Sequence, residues 1–494
     1  DQKVGGSNPS GRTKFFGACV SWLRIIFSDL SGLIVTSKRG RAMAAVEQFD
    51  VYELEKQVEN YLRSHNAEKI SELLDEAQLN DIISLIERTS LKRGAVIFRL
   101  LPPERAGLVF DALDPYHQAA MVHALGSDGV GSFFEELGAE DRAMLIDELP
   151  PEVAARLMRE LDESDQEYTN VVLGYERGTV GRAMSPEIAE IYMDMTAREV
   201  CDLLREQHED LETLYTLPVI DRARYVQGIV KMRDLFLAAD DVKMSELVVD
   251  SPTVSVNDDA EETARWFLPL SLLAVPVVDS NDRLVGIFTF DEAQDIVESE
   301  DTEDSARQGG SEALKTPYLA TPLITLVKSR IVWLLVLAVS ASLTVQVLDV
   351  FEGKLEKAVV LSLFIPLLTG TGGNTGNQAA TTVTRALALG DVHKSDILKV
   401  MWREVRVGLM LGAVLGVLGF LAAWVFFGIE IGIIIGTTLL SVCTMSATVG
   451  GAMPIVAKTV GADPAVFSNP FISTFCDATG LVIYFLIATS VLGL

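Results

Sequence analysis

Pro366-Leu-Leu-Thr-Gly-Thr-Gly-Gly-Asn-Thr-Gly-Asn-Gln378 lies inside the apolar C-terminal third of the chain and decides how that third is read. Glycines, two asparagines and a glutamine are a poor composition for a helix that only has to dissolve in lipid. Buried amides need partners, and irregular backbone is tolerated at membrane depth only where it packs on protein or lines water. A carboxylate, Asp477, follows within another apolar run, Phe471 to Leu494. Acids at such positions usually face a bundle interior or an ion pathway. Together the two features point to a hydrated, cationic passenger crossing a helical membrane domain.

Working outward, five spans can be drawn, at about 330–350, 358–388, 404–428, 432–456 and 467–493, each reaching the roughly twenty residues that cross a bilayer. The second carries the Gly-Asn motif and is expected to bend there. The loop after it holds Arg385, Lys394, Lys399, Arg403 and Arg406, whereas the loop after the first holds Lys354 and Lys357 offset by Glu352 and Glu356. That asymmetry puts the N-terminal body in the cytoplasm and, with five crossings, the C-terminus outside. Asn469, Ser473 and Asp477 are four residues apart and share one helical face. With Asn374, Asn377 and the backbone near Gly373 they offer oxygens to an ion that keeps its inner water, as Mg²⁺ does. For Gly373, Gly376 and Gly480 close helix packing is an equally good account. Five spans make a thin bundle, so a homodimer with the path near its two-fold axis is the economical assembly.

The formal charge of −28 over 494 residues is uneven: nearly all the acid precedes residue 305. A soluble acidic body is joined to a membrane body, which argues against nucleic acid and for cations. Four cysteines, Cys19, Cys201, Cys443 and Cys476, have no metal or disulfide spacing, and the five histidines do not cluster. No P-loop and no nucleophile or acid–base constellation is visible, so neither ATP hydrolysis nor another enzymatic activity is expected. Residues 1–43 are expected to be a disordered arm or an upstream extension; Arg24 and Asp29 interrupt the apolar stretch Gly17 to Val35, as a secretory segment would not allow.

Residues 44–178 read as helices throughout. Leu101-Pro-Pro-Glu104 before Leu113-Asp114 repeats as Leu149-Pro-Pro-Glu152 before Leu161-Asp162, with Leu137-Gly-Ala-Glu140 a degenerate copy, which predicts a helical solenoid. Residues 179–242 and 243–298 form a second duplication. Leu217-Pro-Val-Ile-Asp221 with Gln227-Gly-Ile-Val230 matches Val275-Pro-Val-Val-Asp279 with Val285-Gly-Ile-Phe288, and Pro218 to Gly228 and Pro276 to Gly286 are both ten residues. This α/β unit resembles a CBS domain, and two copies would pair into one module. Such modules often bind adenosine nucleotides; Lys231 stands where a Thr is common. Acid then accumulates from Asp291-Glu292 through Asp295, Glu298, Glu300-Asp301 and Glu303-Asp304; a helix predicted to begin near Asp291 carries Asp295 through Asp304 on adjoining turns, and the acidic linker helix is assigned to 299–329. Like charges on one face repel unless a cation intervenes, so the run is either a solvated linker or a metal-sensing surface.

The order of solenoid, paired CBS copies, acidic linker and five spans is similar to the MgtE family of magnesium transporters. Pro366 to Gln378, Arg403-Glu404-Val-Arg-Val-Gly408, and Asp463-Pro-Ala-Val-Phe-Ser-Asn-Pro470 through Asp477-Ala-Thr-Gly480 carry the likeness, which covers residues 44–494. It implies a dimeric Mg²⁺ channel of the inner membrane with Asp477 as pore acid, supported by Gly373, Asn377, Asn469 and Ser473. It implies too that cytoplasmic Mg²⁺ binds at Glu261, Asp295, Glu300, Glu303 and Asp304, with Glu292 facing the solenoid, and holds the gate shut. ATP at the CBS pair follows as a further expectation. One departure is Ser271, with Pro269 before it, where the family often has an acid; it implies a weakened or missing cytoplasmic site. Other readings are a carrier or channel for Co²⁺, Ni²⁺ or Mn²⁺, or a membrane-anchored CBS sensor that transports nothing.

Overall fold

The computed structural model describes residues 51–64, 66–126, 130–208, 211–353, 358–463 and 469–493; the side chains of Val51, Pro103, Glu104 and Asn469 lie outside that description. The expected arm at 1–43 and Lys354, Glu356 and Lys357 of the loop after the first span also fall outside the described residues. The chain divides at Gln57 and Val58 into two units, and the described part of the first is the opening turns of helix α1.

Helices α1 (Val51–Arg63), α2 (Ala67–Glu76), α3 (Leu79–Arg88), α4 (Leu91–Phe98), α5 (Pro103–Asp111), α6 (Pro115–Leu125), α7 (Gly131–Glu136), α8 (Ala139–Glu148), α9 (Pro151–Glu160) and α10 (Glu163–Leu173) follow one another with short turns. Both Leu-Pro-Pro-Glu lines are helix starts: Pro102 and Pro150 cap, and Pro103 and Pro151 take the first helical position, where a missing N–H costs nothing. Asp114 and Asp162 cap α6 and α10 by accepting the backbone N–H groups of His117 and Asp165. Single apolar stripes on short helices can be buried only against neighbours, and where they do so Phe98 meets Phe110 and Phe133 edge to face while those two rings lie tilted on each other.

The duplication at 217–230 and 275–288 is a repeated register. In the first copy β1 (Ile191–Tyr192) pairs parallel with β2 (Thr216–Ile220), which pairs antiparallel with β3 (Val226–Lys231). Helices α11 (Ala197–Gln207), α12 (Met232–Leu237) and α13 (Met244–Leu247) accompany these strands. In the second copy β4 (Val254–Ser255), helix α14 (Ala260–Phe267), β5 (Ala274–Val278) and β6 (Leu284–Thr289) repeat the arrangement. Val219 faces Gly228 as Val277 faces Gly286, and both copies carry a bulge at that point. The two glycines are required by close approach. A Cβ at Gly228 (φ 140°) would lie 2.3 Å from the Val249 carbonyl, and one at Gly286 would lie 2.6 Å from that of Ser185.

Helix α15 (Phe290–Gln308) continues directly from β6, so the acidic run sits on one helix that begins inside the second copy and ends at Gly309. Beyond it, α16 (Leu323–Val350), α17 (Ile365–Ala388), α18 (Ile397–Phe427), α19 (Ile429–Thr459) and α20 (Asn469–Leu492) make up the apolar third. Four described segments are long and apolar enough to cross a membrane: Leu323–Val350, Lys394–Phe427, Ile429–Thr459 and Pro470–Leu492. The polar motif lowers α17 below that measure.

The expected bend at the Gly-Asn motif is not there. Helix α17 runs unbroken through it, and the irregular stretch is a 3-10 turn before it, Val359–Phe364. The hydroxyls of Thr369, Thr371 and Thr375 are satisfied within the helix, each donating to the carbonyl four residues back, at 3.0, 2.7 and 2.8 Å. Packing explains the glycines. A Cβ at Gly372 would meet Val442 at 2.8 Å, one at Gly376 would meet Ile472 at 2.9 Å, and one at Gly450 of α19 would meet the Gly376 carbonyl at 2.2 Å. Gly408, Gly412 and Gly416 of α18 are pressed in the same way against Thr444, Leu440 and Gly436 of α19. Phe351, just past α16, stacks on Phe485 of α20 with ring centroids 4.7 Å apart.

Candidate functional site

Two places gather the residues that carry chemistry. The first lies between α17 and α20. Gly373 leaves room for Ser473 and Asp477: a Cβ there would be 2.5 Å from Ser473 Oγ and 3.6 Å from Asp477 Oδ1. The four-residue spacing on α20 thus turns hydroxyl and carboxylate to the same patch of α17 backbone. Asp477 Oδ1 and Asn377 Oδ1 are buried and have no hydrogen-bond partner among the described residues. A buried, unsatisfied carboxylate oxygen is costly, and a cation or a water molecule has the chemistry to satisfy it. Asn374 and Asn377 line one cavity of about 450 Å³ with Gln378, Thr381 and Thr382. Asn469 opens α20, but its side chain lies outside the described residues.

The second place is the length of α15, whose acids face three other elements. Near its start, Glu292 meets Asp141 of α8 and Glu212, which precedes β2 in the first CBS copy. Burial, then Asp141, Asp295 and Asp291, push Glu292 up to about 8. Asp141 is pushed up to about 7 by burial and by Asp111, Glu212, Asp295 and Asp291. Glu212 is pushed up to about 7 by burial, Asp291, Glu187 and Asp111. Glu140, buried on α8, is raised chiefly by burial, and its Oε2 has no hydrogen-bond partner among the described residues. Asp295 is raised by burial and by Asp291 and Glu298.

Near the other end, burial and then Glu261, Glu303 and Asp304 push Glu300 up to about 7. Burial, Asp463 and Glu261 push Asp304 up to about 6. The mutual repulsion that the spacing implies is therefore present, and it involves Glu261, Glu300, Glu303 and Asp304 together. Ser271 is exposed and in the left-handed region (φ 57°), after the 3-10 turn Leu268–Leu270 that holds Pro269. Among the described residues no group of three or more His, Cys, Asp or Glu side chains is drawn tightly enough to hold a metal ion. The carboxylates confront one another across the contacts of solenoid, CBS copies and α15 without forming a ligand shell.

Several of these groups were not legible in advance. Glu140, Asp141 and Glu212 look like ordinary solvated acids in the sequence; only the docking of α8 and the first copy on α15 buries them. Arg142 of α8 is as hidden. Its fully buried guanidinium reaches Asp165 at 3.2 Å and Glu187 at 2.8 Å, tying the solenoid to the first copy. Arg182 does the same with Asp147 at 2.7 Å.

Comparison with known proteins adds three matches to families. A family described as divalent cation transporter (MgtE) matches residues 365–487, the MgtE intracellular N domain matches 77–178, and the CBS domain matches 180–241. The magnesium transporter MgtE of Thermus thermophilus is 34% identical over 331 residues, which is 66% of this chain and 73% of that protein. The magnesium transporter MgtE of Enterococcus faecalis is 32% identical over 323 residues, 64% of this chain and 70% of that protein. Among solved structures, the cytosolic domain of the Mg²⁺ channel MgtE in complex with ATP is 28% identical, with a TM-score of 0.45, covering 49% of this chain and 99% of that one. The soluble part of a magnesium transporter follows at 23% identity and a TM-score of 0.44, covering 51% and 99%.

Proposed function

The chain belongs to the MgtE family of magnesium transporters, and from that membership we propose that it is a homodimeric Mg²⁺ channel held shut by cytoplasmic Mg²⁺. The observation that carries the proposal is the meeting of Asp477 and Ser473 with Gly373, where a carboxylate oxygen is buried without a partner. A cation beside it would stabilise the charge of Asp477 at that depth. A hydrated Mg²⁺ is the passenger that amide, hydroxyl and carboxylate oxygens suit, because they bind its waters without stripping them. The ion moves down its electrochemical gradient, with a negative interior drawing it inward.

All five long helices cross the membrane in this reading. Helix α17 has 24 residues, about 36 Å at 1.5 Å per residue, which is enough to span. It is polar because it faces the path. Lys458 at the end of α19 meets Glu262, and Asp463 before α20 meets Arg307, so these ends share the side of the soluble body. Alternating crossings then leave the solenoid and CBS copies cytoplasmic and the C-terminus outside.

Gating follows from the acids on α15. Carboxylates alone suit a hard divalent cation, and Glu292 and Asp295 with Asp141, Glu140 and Glu212, or Glu300, Glu303 and Asp304 with Glu261, would take Mg²⁺ between domains. Bound Mg²⁺ neutralises the repulsion there and favours the closed arrangement, a shift of populations. ATP belongs at the CBS pair. Lys231 and Asp234 at the start of α12 and Thr289 and Asp291 at the start of α15 offer a cation, a hydroxyl and carboxylates, which fit a polyphosphate and a ribose. When bound, ATP would supply charge to the pair, and calorimetric titration of ATP into the chain checks this.

Mg²⁺ flux into proteoliposomes, with Asp477→Ala in parallel, tests the main proposal. Flux by the wild type that disappears in the variant is expected. Equal flux through both removes Asp477 from the path, and no wild-type flux with low Mg²⁺ on the cytoplasmic face removes the channel.

A further inference from the structure

Two guanidinium groups lie within the acidic face of α15. Arg265, on α14 of the second copy, donates Nε to Glu261 Oε1 at 2.8 Å and Nη2 to Asp301 Oδ1 at 2.7 Å. Its side chain is 18% exposed, against 38% for Glu261 and 64% for Asp301, so the guanidinium is sheltered while the carboxylates it bridges reach solvent. Arg307, in the last turn of α15, pairs with Glu303 on its own helix and with Asp463 in the connection between α19 and α20. A planar guanidinium with five donors bridges two carboxylates in fixed geometry, which is the task otherwise left to a divalent ion.

The chain just beyond Arg307 also touches the pore helix. It turns at Gly310 in the left-handed region (φ 69°), and a Cβ there would lie 3.0 Å from the Pro470 ring in the first turn of α20. Lys458 adds a parallel tie from α19 to Glu262 of α14 at 3.2 Å. By contrast, Glu300 and Asp304 form no ion pair among the described residues, although they lie between the two arginines in sequence and space.

We propose that Arg265 and Arg307 are resident counter-ions that dock the linker helix without metal, Arg265 onto the second CBS copy and Arg307 onto the head of the pore helix. Its meaning for gating rests on the reading of α15 as the sensing linker; the docking itself does not. Metal then acts on Glu300 and Asp304, the acids that neither arginine pairs with directly, and closure tightens a helix already in place. Removing an arginine has two opposite effects. It releases α15 when metal is absent, and it frees carboxylates that become additional ligands when metal is present.

Amide hydrogen exchange of residues 290–308 in the full chain, in detergent with EDTA, reads the first effect. Wild-type amides are expected to be protected in EDTA. Arg307→Asp should speed their exchange about tenfold or more, the equivalent of losing one charge-assisted bridge. The exchanged pair Arg307→Asp with Asp463→Arg should restore protection. Arg265→Gln, an independent variant on the other bridge, should also speed exchange in EDTA, yet need severalfold less Mg²⁺ for half-protection than the wild type. Free exchange of the wild type in EDTA, or wild-type protection in both single variants, overturns the proposal. If protection follows the arginines while Mg²⁺ changes neither exchange nor flux, docking stands and the sensing reading fails.

Discussion

At Gly373 there is no room for even a single added methyl group. The Cβ that alanine would add falls 2.5 Å from Ser473 Oγ, closer than real contacts allow, and 3.6 Å from Asp477 Oδ1. Either α17 and α20 part or the hydroxyl turns away from its position. Gly373→Ala is expected to lower Mg²⁺ flux about tenfold or more, since misplacing oxygens around an ion by about an ångström is costly. Gly373→Ala combined with Ser473→Gly should recover much of it, because the second change vacates the space the first one fills. Flux assays on the single and double variants check this, and additive losses would show that the methyl group acts elsewhere. The spacing of Asn469, Ser473 and Asp477 made the acid's face readable from sequence. Gly373 was grouped with Ser473 and Asp477 by the family resemblance, whereas by itself a glycine in an apolar run signals close packing without naming the partner.

At the scale of one element, α15 is a row of acids whose protonation competes with metal. Glu292 is pushed up to about 8, Glu300 to about 7 and Asp304 to about 6, each by burial first and neighbouring carboxylates next. Mg²⁺ binds the ionised forms, and below these values the acids are largely protonated. The Mg²⁺ concentration that halves flux is therefore expected to fall as cytoplasmic pH rises from about 6 to about 8, the window those values define. The sign for stability is opposite in EDTA. An acid raised in the folded state opposes folding once ionised, so the metal-free body should lose stability as pH rises from about 4.5, the ordinary glutamate value, to about 8. Thermal melts at both pH values, with EDTA and with Mg²⁺, check this: Mg²⁺ should stabilise more at pH 8 than at pH 6. Neutralising Glu300, Glu303 and Asp304 together should leave conduction intact while raising the inhibitory Mg²⁺ concentration, and unchanged inhibition would remove the sensing role. The helix and its acids were visible as a charge run. Its start near Asp291 was visible too, one residue from the observed Phe290; that this one helix runs on through the acidic run to Gln308 was not. The arginines among its acids are distant in sequence or look like ordinary i,i+4 pairs.

For the whole molecule, what could be read was whatever repeats or alternates: the Pro-Pro-Glu helix starts, the paired CBS copies and the apolar spans. What could not be read was how these parts touch, since interfaces between domains carry no period. The contact of solenoid and first CBS copy is the clearest case. Arg142 is 1% exposed and holds Asp165 of the solenoid and Glu187 of the CBS copy at once. A buried cation is expensive unless paired, so the arrangement is stable only while all three charges are present. Removing the cation takes the counter-charge from Asp165 and Glu187, and Glu187 lies beside Glu212, which it already crowds together with Asp291. Arg142→Met is therefore expected to cost about 3 kcal/mol or more of the soluble body's stability. Because the lost pair spans two domains, the melt should split, with the solenoid released before the CBS copies. Added Mg²⁺ should recover part of the loss, since a divalent ion can bridge Glu187 and Glu212 in place of the guanidinium. Differential scanning calorimetry in EDTA and in Mg²⁺ measures both effects. A single unshifted transition would mean that the apolar contacts of the interface hold the domains together without Arg142.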